Sequence, residues 1–317
     1  MTADAGLAPM GRVLVLGGAG FIGANLVRAL VAQGQRPRVL TRPSRSVAAL
    51  RGQLGAVDLI NGDLMDDVVV RAALTGVDTV FHLITTTFPN MVVQSSNYDL
   101  LSNLLPTIRV LELARELGVK RIVYASSGGT IYGEPRSVPI DEDHPLAPKS
   151  PYGQSKLTIE NYLSFYGRTT PLEVCILRLS NPYGPGQNPF GVQGLVAVAM
   201  GCALDGRPIS IYGEGTAVRD YIYIDDVVDA MLRAAVRTPA VLNVSSGVGQ
   251  SVKQVLDAID RISGRPLQRL ALPARAGDVQ ANVLDNRRAR QWLDWAPNTA
   301  LDEGLRRTWA HMASQAP

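Results

Sequence analysis

The chain has 317 residues, 46% hydrophobic and 19% charged, with a net charge of +3. This balance excludes a disordered chain, and without a dense Lys/Arg run it excludes a nucleic-acid groove. Cys175 and Cys202 lack metal-ligand spacing and His82, His144 and His311 are scattered, so neither a disulfide framework nor a metal site is expected. No uninterrupted apolar run of about 18 residues occurs, and the first ten residues carry no signal pattern, so no membrane partner is expected and the cytoplasm is the expected setting.

Residues 13–16 form a short apolar run, the pattern of a strand buried on both faces. It leads into Gly17-Gly18-Ala19-Gly20-Phe21-Ile22-Gly23, then a helical pattern over 22–34 and a second strand at 38–40. Glycines 17, 20 and 23 let the backbone turn, approach a pyrophosphate and pack helix on strand, while the helix start offers free N–H groups to phosphates. Within a unit of about 30 residues this predicts dinucleotide binding, with Gly17, Gly20, Phe21, Ile22 and Gly23 at the cofactor. The end of the second strand carries Thr41 in place of the acid that binds the ribose of NAD; Arg42 follows, with Arg45 close behind. A guanidinium suits a 2′-phosphate, so the cofactor is NAD or NADP, with NADP slightly favoured.

A third strand over 57–60 ends near Asp63 and Leu64, where Asp63 can meet the adenine amino group or cap the helix starting near Asp66. A fourth, over 77–84, ends in Ile84 and the hydroxyl run Thr85-Thr86-Thr87, facing the ligand crevice of a parallel sheet. The helical pattern over 97–117 is apolar on more than one face, which predicts cover for the sheet and for a second subunit, a homodimer. Pro106 is expected to kink it.

A fifth strand at 121–125 runs into Ser126-Ser127, and after a proline-rich loop a helix over 151–166 carries Tyr152 and Lys156. A spacing of four puts both on one helix face. A lone phenol has a pKa of about 10, and a nearby ammonium is expected to draw it toward neutrality, making a base that shares a proton with a strand-five hydroxyl.

After a sixth strand at 172–179 the regular alternation breaks down. A helix at 194–204, strands at 209–212, 219–224 and 241–244, and helices at 254–262, 287–293 and 301–312 are expected, with Asp225 capping a helix to about 236 and Trp292 and Trp295 packing the second lobe. The fold class is α/β: a Rossmann-type doubly wound parallel sheet with a smaller mixed α/β C-terminal lobe. The dinucleotide-binding part is placed at 11–179, with 219–245 returning to it, and the substrate lobe at 180–218 and 246–314.

The glycine turn, Ser126-Ser127-Gly128-Gly129-Thr130-Ile131-Tyr132-Gly133, Tyr152-Gly153-Gln154-Ser155-Lys156 and Arg219-Asp220-Tyr221-Ile222 occur in that order. The chain resembles the extended short-chain dehydrogenase/reductases, and within them the UDP-glucose 4-epimerase-like nucleotide-sugar enzymes, over about residues 11–310. The resemblance implies a nucleoside diphosphate sugar as substrate and Tyr152, Lys156 and Ser127 as catalytic residues. Counting back from Tyr132 points instead to Gly128, so Thr130 and Ser126 stay as fallbacks to Ser127. It further implies that Asn181, Arg219, Arg275 and Asp278 hold the substrate's diphosphate and ribose, that Asn103 is buried near the active lysine, and that Asn282 stands where the epimerases gate the sugar's C2 substituent. The activity implied is a nucleotide-sugar 4-epimerase; the alternatives are an NADPH-dependent 4-keto-6-deoxy nucleotide-sugar reductase and, in another class, a non-catalytic dinucleotide-binding sensor.

Overall fold

The computed structural model describes residues 10–43, 46–89, 97–237, 239–274 and 279–315. In the first part, β1 (Val13–Leu16), β2 (Arg38–Thr41), β3 (Asp58–Asn61), β4 (Thr79–His82), β5 (Arg121–Ser127) and β6 (Glu173–Leu179) alternate with α1 (Phe21–Ala32), α2 (Asp67–Leu74), α3 (Leu105–Glu116) and α4 (Pro151–Thr169). The second part runs β7 (Asn181–Tyr183), α5 (Leu195–Asp205), β8 (Ile209–Tyr212), β9 (Val218–Tyr223), α6 (Ile224–Ala234) and β10 (Val241–Val244). It closes with β11 (Gly249–Ser251), α7 (Val252–Ser263), β12 (Arg269–Leu272), β13 (Ala281–Asn282), α8 (Arg287–Leu293) and α9 (Leu301–Ala313).

Seven strands form one parallel sheet in the order β10-β6-β5-β4-β1-β2-β3. The apolar runs read as doubly buried strands because each face meets a helical layer. Val13, Val15, Phe81, Val123 and Leu177 pack on the α1 and α6 side. Leu14, Leu16, Val80, Ile122, Tyr124 and Ile176 pack on the α2, α3 and α4 side. Burying each such side chain contributes roughly 1.5–3 kcal/mol. The sheet changes direction between β1 and β4, the kind of switch point at which ligands bind beyond the carboxyl ends of the strands.

Of residues 219–245, α6 packs on α1 and β6 and β10 pairs with β6, whereas β9 lies in a four-stranded sheet with β7, β11 and β13. β8 and β12 form a separate parallel pair.

The distortion expected at Pro106 falls beside a π-helical turn, Leu100–Leu104, which runs straight into α3 with Pro106 in its first turn. Two local expectations are corrected. Asp225 is not the cap of α6; Tyr223 holds that position, and the neighbouring Asp226 accepts from the backbone N–H of Asn298 and Thr299 at 3.0 and 3.1 Å, tying the C-terminal segment down. Trp295 is buried, its Nε1–H donating to Asp226 O, but Trp292 is half exposed and no core residue.

Candidate active site

The glycine turn is built by close approach. Gly17 has φ +88°, and a Cβ there would sit 3.1 Å from Ile84 Cγ1. A Cβ on Gly23 would lie 2.2 Å from Gly17 O, so only hydrogen allows α1 to start this close to β1. Gly20 is the N-cap of α1, without a side-chain cap or an acidic residue in the first turn. The first N–H groups of the helix are thus left to an outside acceptor, and an anion is what such an end attracts. This arrangement fits a dinucleotide's pyrophosphate. Phe21 and Ile22 lie half-buried in that first turn.

Ile84 joins this turn to a second site. It also lines a cavity with Thr85, Thr87, Asp99, Asn103, Tyr152, Ser155, Lys156 and Ile159. Ser150 caps α4 through Gly153 N–H at 3.1 Å, and Pro151 begins the helix. Gly153 lets this end press on the loop after β5: a Cβ there would sit 2.9 Å from Thr130 O. That contact brings Tyr152 beside Ser127, the last residue of β5, near enough for the serine hydroxyl to bear on the phenol's proton.

The fallback hydroxyls are engaged elsewhere. Ser126 points to the other side of the strand and donates to buried Glu160. Thr130 Oγ1 donates to Ser127 O at 3.4 Å. Gly128 has no side chain to offer, and its N–H donates to Leu179 O.

Lys156 is buried, with Nζ donating to Ala125 O at 2.8 Å and lying 5.9 Å from the Tyr152 ring centroid. Burial pulls its pKa down to about 8, against the raising influence of Glu160 and Asp99. The expectation that the ammonium draws Tyr152 toward neutrality is not met here. Burial pushes the Tyr152 phenol up to about 12, opposed by the nearby Ser127 hydroxyl and reinforced by the charge of Asp99. In this state Tyr152 holds its proton, because removing its phenol from water outweighs the Lys156 cation, whose Nζ lies 5.9 Å from the ring centroid.

The wall opposite α4 is a polar knot. Asp99 Oδ1 accepts from Thr87 Oγ1 at 2.6 Å and from Asn103 Nδ2 at 2.7 Å; Asn103 Oδ1 accepts from Thr86 N–H at 2.9 Å. The threonine run after β4 is therefore not all open to ligand: Thr86 and Thr87 fasten it to the π turn, while Thr85 is exposed. Asp99 was not singled out from the sequence. Its signal was available: a carboxylate at the start of a leucine-rich helical stretch, four residues before Asn103. Behind Lys156, buried His82 uses Nε2 on Thr107 at 3.0 Å and leaves Nδ1 without a partner among the described residues. Burial and the Lys156 charge pull its pKa down to about 3, so His82 stays neutral.

In the second sheet, Arg219 on β9 stands opposite Asn282 on β13, and Asn181 opposite Tyr221. Asp220 anchors this sheet from inside, accepting from Ser246 N–H, Gly247 N–H and the Ser246 hydroxyl at 2.7–3.0 Å. Asn181 Nδ2 donates to Asp220 O at 2.8 Å. Arg219 donates to Val218 O and has no carboxylate partner among the described residues. Asn282 is buried, with Nδ2 on Gly128 O at 3.3 Å and Oδ1 without a partner among the described residues. Asn282 thus fastens the loop beside Ser127 to this sheet.

At the far end of the turn, Thr41 is buried and Arg42 exposed. Asp63 is exposed and accepts from Met65 N–H, Leu64 is buried, and Asp66 rather than Asp63 caps α2. Arg45, Arg275 and Asp278 lie outside the described residues. No described helix is long and apolar enough to cross a membrane.

A doubly wound sheet with a glycine turn shaped for a pyrophosphate at the switch point and a buried tyrosine–lysine pair beside β5 has the architecture of a dinucleotide-dependent enzyme. Over residues 13–245 the chain matches the model of the NAD dependent epimerase/dehydratase family, and it belongs to that family. It is 37% identical over 307 residues to the UDP-glucose 4-epimerase of Mycolicibacterium smegmatis, covering 94% of this chain and 97% of the relative. The crystal structure of the UDP-glucose 4-epimerase of Thermotoga maritima with UDP-glucose superposes with a TM-score of 0.91 at 34% identity, covering 96% of this chain and 99% of that one. That of the Thermus thermophilus UDP-glucose 4-epimerase in complex with NAD gives 0.89 at 34% identity, with 96% and 100% covered.

Proposed function

We propose that this protein is a nucleotide-sugar 4-epimerase acting on UDP-glucose or its N-acetyl counterpart, with Tyr152, Ser127 and Lys156 as catalytic residues. The observation that carries this reading is that Tyr152 and Lys156 line one cavity, with Ser127 beside the phenol at the carboxyl end of β5, in a chain 37% identical over nearly its whole length to a 4-epimerase.

The glycine turn, Ile84, Thr85, Tyr152 and Lys156 would hold the nicotinamide dinucleotide, with Asp63 and Leu64 toward the adenine. When bound in its oxidised form it supplies the hydride acceptor for C4 and a positive charge. Ser127 passes the proton of the sugar 4-hydroxyl to Tyr152, and the same route returns it, so the chain ends each cycle as it began. A phenol held up to about 12 by burial needs added positive charge beside it before it can act as the base. Asn181 and Arg219 grip the substrate diphosphate, with Arg275 and Asp278 assigned to the same nucleotide; Arg219, without a carboxylate partner among the described residues, keeps its guanidinium for phosphate oxygens. Thr41 puts no acid against a 2′-phosphate and Arg42 favours one, so NADP is accepted alongside NAD. Leu100, Leu101 and Leu105 beside α3 and Tyr162 and Phe165 on α4 are exposed, which supports a homodimer through this face.

The test is incubation with UDP-glucose and with UDP-N-acetylglucosamine, without added cofactor, reading the C4 isomer by NMR. Formation of the isomer at equilibrium is expected. Absence of it, together with NADPH oxidation on a 4-keto-6-deoxy nucleotide sugar, would overturn the epimerase in favour of the reductase.

A further inference from the structure

Asp99 is buried at 4% exposure immediately before the π-helical turn, at its N-cap, and lines the Tyr152–Lys156 cavity. Its Oδ1 takes two donors at 2.6 and 2.7 Å, the short contacts of a charged acceptor, whereas its Oδ2 is buried with no partner among the described residues. A strut would not need the second oxygen. Tying Thr87 to Asn103 takes one carbonyl, which an asparagine provides, and burying an unpaired carboxylate oxygen is costly unless a cation answers it. The cation lining this cavity is Lys156. Its Nζ donates to Ala125 O, and its other N–H groups have no hydrogen-bond partner among the described residues.

We propose that Asp99 is a positioning residue that holds Lys156 as an ammonium and so sets the pH window in which the Tyr152–Ser127 pair works. The inference rests on the function proposed above for that pair and deepens it. The groups that face Lys156 are Tyr152 and Glu160 from its own helix, Tyr124 from β5 and His82 from β4. Glu160 is already neutralised by Arg178 from β6, and His82 is uncharged, which leaves Asp99 as the uncompensated negative charge among them. That charge acts on both titrating groups in the same sense. It raises the pH at which Lys156 loses its proton, and also the pH at which Tyr152 loses its own.

The experiment compares wild type with Asp99→Asn, which keeps the oxygen that binds Thr87 and Asn103 and removes the charge. Lys156 is titrated in the purified full chain by its side-chain 13Cε resonance, assigned with Lys156→Arg. The kcat/KM profile with UDP-glucose is recorded from about pH 6 to about pH 10. In Asp99→Asn the Lys156 midpoint is expected to fall by about one pH unit, and both limbs of the profile to move acidward together. Thr87→Val, which cuts the tether but keeps the charge, is expected to leave the midpoint in place. An unmoved midpoint in Asp99→Asn, or an equal shift in Thr87→Val, would show Asp99 to be only a strut. If Asp99→Asn does not fold, Asp99→Ser is read by the same criteria. The titration needs no sugar, so failure of the epimerase reading would leave its result standing, and an unmoved midpoint overturns the role of Asp99 even in an active epimerase.

Discussion

Two buried carboxylates bear on Lys156, and they are satisfied in opposite ways. Glu160, one turn along α4, forms a closed network: Arg178 donates to Oε2 at 2.8 Å, Ser126 donates to Oε1, and Arg178 also donates to the Tyr132 hydroxyl, which donates to Asn243 Oδ1 at 2.7 Å. Glu160 and Arg178 are 4% and 6% exposed, and every charge there has its counterpart. Asp99, across the cavity, has one oxygen tied and one unpartnered. A closed network locks β5, β6 and α4 in one arrangement, whereas an open one leaves a charge for a moving proton to feel. The difference separates residues that hold the site from residues that tune it.

The comparison predicts which property each change moves. Tyr152→Phe, on the open side, should lower kcat by about 10²–10⁴-fold while leaving the midpoint of urea unfolding within error. An unfolding midpoint that collapsed with activity would place Tyr152 among the holding residues instead. Arg178→Met, on the closed side, should cost roughly 3–5 kcal/mol of stability because it leaves Glu160 buried and unpaired, read by urea denaturation. Adding Glu160→Leu to Arg178→Met should recover much of that loss, since two apolar groups need no partners; failure to recover would mean that Ser126, Tyr132 and Asn243 contribute more than the ion pair does.

The pH dependence of stability sharpens the contrast. His82 titrates near 6.5 when unfolded but at about 3 in the fold, so the unfolded chain binds the extra proton first. Its contribution is complete above about pH 6.5 and is lost as the pH falls toward 3, with a slope of about 1.4 kcal/mol per pH unit. Urea unfolding at a series of pH values measures it, and His82→Gln should flatten that segment. The smallest effect is expected farthest from the cavity. Arg42→Ala should weaken NADP about tenfold against NAD in a competition assay, the scale of one exposed phosphate contact; an unchanged ratio would leave Arg42 without a role in cofactor choice.

Much of this site was legible as local pattern. The seven-stranded sheet follows from apolar runs separated by helical periods, the phosphate turn from three glycines between a strand and a helix, and the Tyr152–Lys156 pair from a spacing of four. Each needs only neighbours within one or two turns of chain. Several expectations failed for the same reason. Asp225 reads as a cap because it stands next to a helix start, but Tyr223 holds that position and Asp226 serves Asn298 and Thr299, more than 70 residues away. Tyr152 was expected near neutrality because a lysine is close, but burial supplied by other elements prevails.

The sequence by itself determined the elements of the parallel sheet, their order and the helix face that carries Tyr152 and Lys156, since backbone sterics and hydrophobic periodicity act over short separations, whereas the short strands β7, β11, β12 and β13 of the second part carry too little pattern to be read. Only the tertiary structure decided which hydroxyl of Ser126, Ser127 and Thr130 meets Tyr152. Successive side chains of a strand point to opposite faces, and it is the packing of Gly153 on Thr130 that brings the face bearing Ser127 to the tyrosine and gives the face bearing Ser126 to Glu160. The tertiary structure alone also brought Asp99, from a helical turn far back in the chain, to the cavity of Lys156, because what a buried carboxylate answers to is the charge nearest in space.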